Sequence, residues 1–134
     1  MIQAGAAVDI LLVDDNSDYL ATMKEALYSH GYNVYAADDG QLASRIVHTT
    51  NVDLVMSDIK MPNLDGFGLH KVVRGIRSYA KTKFLFVTGF REAYEDNLKL
   101  NPERDYIIDK TMAPQDIVKF IDKLMFGAFA EVWV

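Results

Sequence analysis

Asp14 and Asp15 follow the apolar run Ile10-Leu11-Leu12-Val13, Asp58 follows Leu54-Val55-Met56-Ser57, Thr88 follows Phe84-Leu85-Phe86-Val87, and Lys110 follows Tyr106-Ile107-Ile108-Asp109. Runs of this kind read as buried strands, and in an open parallel sheet ligands bind outside the carboxyl ends of the strands. The five positions are therefore expected to converge on one crevice although they lie far apart in the chain. The chemistry that such a set supports is transfer of a phosphoryl group. Asp58 is the candidate nucleophile, since a carboxylate can accept phosphate as an acyl phosphate and so divide a difficult transfer into two steps. Carboxylate and transferring group are both anionic, so a cation must stand between them. Asp14, Asp15 and Asp58 offer the oxygen ligands that Mg2+ prefers, and a divalent ion relieves the repulsion among three crowded acids. Lys110 adds a flexible point charge within reach of a phosphoryl oxygen, and the Thr88 hydroxyl can donate to another.

Each residue has a plainer explanation when taken alone. An aspartate after a strand commonly caps a helix, a threonine simply ends a strand, and a lysine lies on the surface. Independent caps are not expected to supply an acid pair, a lone acid, a hydroxyl and a lysine in this strand order.

The elements that must position these residues follow from periodicity. Asn16-Ser17-Asp18 offers helix N-cap side chains, and Leu20, Met23 and Leu27 recur at helical spacing until His30-Gly31. Asn33-Val34-Tyr35-Ala36 is a short strand, and Asp38-Asp39-Gly40 opens a second helix through Leu42, Ile46 and Val47. A third strand covers 52–57, followed after the Pro62 and Gly66 turn region by a helix carrying Leu69, Val72, Val73 and Ile76. A fourth strand spans 84–87, and the polar, weakly amphipathic segment 92–100 is expected to be the least firmly docked helix. A fifth strand at 106–108 and a helix after Pro114, with Ile117, Phe120, Ile121 and Leu124, close the series. Alternating strands and helices joined by short loops predict an α/β protein, its parallel sheet covered on both faces.

Composition narrows the function classes. The 134 residues suit one domain, and the apolar half of the chain can build a core without disulfides. Cysteine is absent, which removes disulfide frameworks and thiolate metal sites and fits a reducing cytosol. A net charge of −5 with scattered basic residues opposes direct nucleic-acid binding. No apolar run approaches the roughly 20 residues of a membrane-spanning helix, so the expectation is a cytoplasmic protein without a membrane partner.

The motifs Leu12-Val13-Asp14-Asp15-Asn16, Asp58-Ile59-Lys60-Met61-Pro62-Asn63-Leu64-Asp65-Gly66, Val87-Thr88-Gly89 and Asp109-Lys110 resemble those of the receiver domains of two-component response regulators. The resemblance runs from about Asp9 to Met125. It implies a flavodoxin-like doubly wound five-stranded parallel sheet of order 2-1-3-4-5, and a single domain over 1–134 with its core at about 9–126. It implies further that Asp58 takes phosphate from a histidine kinase or phosphotransfer protein. Asp14, Asp15, Asp58 and the backbone carbonyl of Lys60 would hold Mg2+, and Thr88 and Lys110 would touch the phosphoryl group. Such domains are signalling switches rather than enzymes in the ordinary sense, although they catalyse their own phosphorylation and dephosphorylation. The side chains of Lys60 and Phe90 would flank the approach of the hydrolytic water. Phosphorylation would reshape the surface formed by segment 92–100, the fifth strand and the last helix, and pass the signal to an effector protein or output domain.

Two positions depart from the family pattern. Thr111 stands where a proline usually follows the lysine, so the loop loses a residue for which cis is cheap. Ile107 occupies the usual aromatic position, with Tyr106 one residue earlier, and a shift by one changes which face of the sheet the ring occupies. Either a bulge realigns Tyr106 or the signal travels without that aromatic. These departures sustain a second reading, a receiver-like docking module that does not switch by phosphate. A flavin or nucleotide binder, or a small Mg2+ phosphatase, is opposed by the lack of a Gly-rich phosphate loop and of a second acid two residues after Asp58. The apolar tail 127–134 is expected to pack on its own domain or to mark a cut in a longer regulator, with a docking or homodimer surface as the alternative. His30, His48 and His70 fit no metal spacing and read as ordinary surface or half-buried residues.

Overall fold

A computed structural model describes residues 8–90, 94 and 99–127. Five strands form one parallel sheet: β1 (Asp9–Val13), β2 (Asn33–Ala37), β3 (Leu54–Asp58), β4 (Lys83–Thr88) and β5 (Asp105–Asp109), in the spatial order β2-β1-β3-β4-β5. Helices α1 (Ser17–Ser29), α2 (Gly40–Thr49), α3 (Gly66–Arg74) and α4 (Pro114–Phe126) cover it, with a 3-10 turn at Arg77–Tyr79. The doubly wound fold and its strand order are those expected from the sequence. The boundaries differ slightly: β3 starts at Leu54 and includes Asp58, and Ile76 lies beyond the end of α3.

The sheet divides two apolar cores because strand side chains alternate between its faces. On one side Ile10, Leu12, Met56, Leu85, Val87 and Ile108 pack under α1 and α4 with Met23, Leu27, Ile117 and Ile121. On the other, Leu11, Val13, Val55, Phe84 and Phe86 pack under α2 and α3 with Ala43, Val47, Leu69 and Val73. All five residues of β3 are buried, as expected for the central strand of a sheet covered twice.

Local chemistry sets the helix starts. Asn16, Asp39 and Asp65 are N-caps whose side chains accept from Tyr19, Leu42 and Gly68 amides. Pro114 opens α4, where its missing N–H costs nothing. Gly66 is required by close approach: a Cβ there would stand 2.4 Å from the Asp58 carbonyl oxygen. That contact brings the start of α3 against the end of β3.

Two of the histidines tie elements together. His30 Nε2 lies 2.8 Å from Asp122 Oδ2, and the Tyr32 hydroxyl donates to Asp122 Oδ1 at 2.5 Å, linking the end of α1 to α4. His70 Nε2 lies 3.0 Å from Asp105 Oδ1, which also accepts from Arg74 at 2.6 Å, linking α3 to the start of β5. His48 is exposed and its Nδ1 meets the Ser44 carbonyl of its own helix. The expected helix over segment 92–100 lies largely outside the described residues; Tyr94 packs edge-on against Phe67 of α3. The tail at 128–134 also lies outside them. No helix among the described residues is long and apolar enough to cross a membrane.

Candidate functional site

The sheet register brings the expected residues to one end. Val13 pairs with Ser57, Asp58 with Val87, and Thr88 with Asp109, so the acids, the threonine and the lysine leave four neighbouring strands at the same level. The Lys110 amide donates to the Thr88 carbonyl at 3.0 Å and carries the ladder one residue beyond β5.

Asp14, Asp15 and Asp58 each present a carboxylate oxygen within 4.8 Å of the others. Asp14 is 1 % exposed, Asp58 is buried and Asp15 is exposed. Short-range amides aim the two buried acids: Asp14 Oδ1 accepts from the Asn16 N–H and Asp58 Oδ1 from the Ile59 N–H, both at 2.8 Å. The second oxygen of each faces Lys110, whose ammonium lies 2.8 Å from Asp14 Oδ2 and 3.1 Å from Asp58 Oδ2. Three carboxylates against one ammonium leave the cluster negative. The all-oxygen donor set suits a hard divalent cation such as Mg2+.

Electrostatics agree with that imbalance. Burial lifts the Asp14 carboxyl above its usual range; Lys110 and the Asn16 amide pull the other way, and the Asp58 charge adds to the rise. Burial alone would lower Lys110, but its bonds to Asp14 and Asp58 outweigh this and hold it above its usual value, fully charged.

Thr88 is 1 % exposed and its Oγ1 accepts from the Phe90 amide at 3.1 Å, which leaves the hydroxyl proton available to another acceptor. Lys60, two residues beyond Asp58, is exposed, and its ammonium lies 5.4 Å from the centroid of the exposed Phe90 ring. Asn63, in the loop between, adopts φ 68°, a left-handed conformation that asparagine tolerates.

Both departures from the family pattern take a definite form. The pairing of β4 with β5 is residue for residue, Leu85 with Tyr106 and Phe86 with Ile107, so no bulge realigns Tyr106. Tyr106 packs on the α4 side against Phe120, and Ile107 joins the α3 side with Tyr94 and Phe67. Thr111 is fastened without a proline: its amide and hydroxyl donate to Asp109 Oδ1 at 2.8 and 2.7 Å. The Lys110–Thr111 peptide is trans.

One contact escaped the sequence reading. The Lys110 ammonium sits 4.6 Å from the centroid of the Tyr19 ring, in the first turn of α1. Helical spacing put Leu20 in the core and gave no sign that its neighbour would face the pocket, because that depends on the angle at which α1 leaves β1.

The family model described as response regulator receiver domain matches residues 10–122. A response regulator receiver protein, CpdR of Brucella abortus (strain 2308), is 30 % identical over 124 residues, covering 89 % of this chain and 98 % of its own. The probable transcriptional regulator ycf27 of Cyanidium caldarium is 27 % identical, covering 87 % of this chain but 45 % of its own length. The chain thus spans about half of that longer relative. Among solved structures, a response regulator receiver domain protein from Methanospirillum hungatei JF-1 is similar with a TM-score of 0.78 at 28 % identity, over 93 % of this chain and 97 % of that one. The receiver domain of a sensor histidine kinase from Pseudomonas aeruginosa PAO1, described with a magnesium ion coordinated in its active site cleft, has a TM-score of 0.77 at 23 % identity, covering 88 % of this chain and 96 % of that one. At that identity the likeness is one of fold.

Proposed function

The chain belongs to the response regulator receiver domain family, and from that premise we propose that it is a phosphoacceptor switch in which Asp58 takes a phosphoryl group from the phosphohistidine of a kinase or phosphotransfer protein. Receiver domains are signalling domains, and the reacting atom of this one would be an Asp58 carboxylate oxygen. The observation that carries it is the contact of one lysine with two buried carboxylates at the carboxyl ends of β1 and β3.

In the forward step an Asp58 carboxylate oxygen attacks phosphorus, the P–N bond to the donor imidazole breaks, and its electron pair stays on the imidazole nitrogen. Lys110 follows the charge from the carboxylate to a phosphoryl oxygen, and the Thr88 hydroxyl, whose proton is uncommitted, donates to another. Asp14, Asp15, Asp58 and the Lys60 carbonyl would hold Mg2+, which when bound neutralises charge between nucleophile and phosphoryl group. In the hydrolytic step a water oxygen attacks phosphorus, the bond from phosphorus to the Asp58 oxygen breaks with its electron pair left on the restored carboxylate, and the water's protons go to the departing inorganic phosphate and to solvent. Lys60 and Phe90, whose side chains lie 5.4 Å apart from ammonium to ring centroid, would flank that approach and tune the lifetime of the switch.

The whole of 1–134 is read as one such domain, acting in the cytoplasm on an effector or output domain through the face of segment 92–100, β5 and α4. With Ile107 at the usual aromatic position, the signal would cross that face without the aromatic swing found in similar proteins.

Incubation with Mg2+ and acetyl phosphate, followed by intact mass measurement, tests the assignment. An adduct of one phosphoryl group on the wild type and none on Asp58→Ala is the expected result. Absence of an adduct from both would favour the docking-module reading, which the missing proline and aromatic make the natural second choice.

A further inference from the structure

The Lys110 ammonium has three N–H donors and three sides to satisfy. Two face carboxylates, Asp14 Oδ2 at 2.8 Å and Asp58 Oδ2 at 3.1 Å. The Tyr19 ring lies 4.6 Å from the same nitrogen, inside the range over which an aromatic face attracts a cation. The Tyr19 hydroxyl is buried and has no hydrogen-bond partner among the described residues. Burial, together with the Asp14 and Asp58 charges, holds that phenol far above its usual ionisation range, so it stays neutral. A buried tyrosine ordinarily secures its hydroxyl. Here the ring is engaged and the hydroxyl is idle.

Ring and acid are also locked to each other. The Asn16 amide donates to Asp14 Oδ1, and the Asn16 side chain accepts from the Tyr19 amide at 3.0 Å. The run from Asp14 to Tyr19 is therefore a short splint that fixes the aromatic relative to the carboxylate.

We propose that Tyr19 is a positioning residue for Lys110: its ring gives the ammonium a third, uncharged support from which it turns between the two carboxylates and the phosphoryl group on Asp58. The proposal rests on the phosphoacceptor reading of the site. A lysine held by charge alone would settle onto Asp14 and Asp58, and its transfer to phosphate would compete with both. A ring face holds the cation without fixing it to one oxygen, since the attraction has no single acceptor atom.

The test compares wild type, Tyr19→Phe and Tyr19→Leu, each also in a Lys110→Ala background, with circular dichroism to verify folding. Two readouts are taken: the proton shift of the Lys110 ε-methylene by NMR, and the rate of phosphorylation by acetyl phosphate with Mg2+. In the wild type the ring should move the ε-methylene signal upfield; Tyr19→Phe should keep that shift and Tyr19→Leu should lose it. Tyr19→Leu should slow phosphorylation roughly 3- to 30-fold, with the rate restored in Tyr19→Phe. In the Lys110→Ala background the leucine substitution should add nothing further, which a purely structural role for Tyr19 would not produce. An unshifted lysine signal in a phosphorylatable wild type, a phenylalanine variant as slow as the leucine one, or additive losses in the double variants overturns the proposal alone. A wild type with the ring shift that takes no phosphate overturns the phosphoacceptor reading, and with it the part given to Tyr19 in the transfer.

Discussion

Burial in the fold works against the charge of Asp14. Its carboxyl is raised above the unfolded value of about 3.8, so its contribution to stability is complete below that value and is lost as pH rises through the raised one. At neutral pH the ionised form is held at a cost. Asp14→Asn keeps an acceptor for the Asn16 amide and removes the charge. We expect this variant to melt roughly 2–5 °C above the wild type at pH 7 in metal-free buffer. Added Mg2+ should raise the melting temperature of the wild type and leave that of the variant nearly unchanged, as thermal denaturation with and without the ion will show. The Thr111 amide and hydroxyl both donate to Asp109, so Thr111→Pro, which restores the residue usual in the family, deletes two donors. The variant should lose about 1 kcal/mol in urea denaturation, and a gain in stability would show that ring rigidity outweighs the bonds.

Among elements, the junction of α3 with β5 depends on a carboxylate far from the candidate site. Asp105 is 5 % exposed, and Arg74 also reaches the Tyr79 and Thr82 carbonyls at 3.1 and 2.7 Å. Burial would raise the Asp105 carboxyl, but Arg74, the Asn101 amide and His70 together outweigh it and leave it lowered. The sign is therefore opposite to that at Asp14: the stabilisation is complete above the unfolded value and disappears as pH falls through the depressed one. Asp105→Asn should cost about 2–4 kcal/mol at pH 7 by leaving the Arg74 charge uncompensated. That difference from the wild type should shrink in acid, as the pH falls below the unfolded value of about 3.8 toward the lowered native one. Chemical denaturation of both proteins at neutral pH and in acid measures it; a pH-independent gap would mean that packing, not charge, joins these elements. Such a junction was hidden in the sequence because His70 and Asp105 are 35 positions apart and neither element's period shows their pairing. The strands were legible for the opposite reason: burial of both sheet faces writes itself into contiguous apolar runs.

For the molecule as a whole, what sequence could reveal tracks how locally it is encoded. The ends of β1, β3, β4 and β5 announced Asp14, Asp58, Thr88 and Lys110, since a chain leaving a buried strand changes abruptly from apolar to polar. The direction in which those side chains turn was also partly local, through the amides of Asn16 and Ile59. The ring of Tyr19 over Lys110, the His30–Asp122 link across 92 positions, and the face chosen by Tyr106 were not legible, because each depends on how finished elements lie against one another. The bulge alternative for Tyr106 was decided only by the pairing of whole strands.

The sheet places β5 at its margin, next to β4, and Lys110 follows directly after it. During synthesis the three acids emerge well before the ammonium that opposes them, and the strand that carries it has a single neighbour, β4, to dock against. A chain folded except for an undocked β5 would hold Asp14 and Asp58 close together without the ammonium that both of them meet.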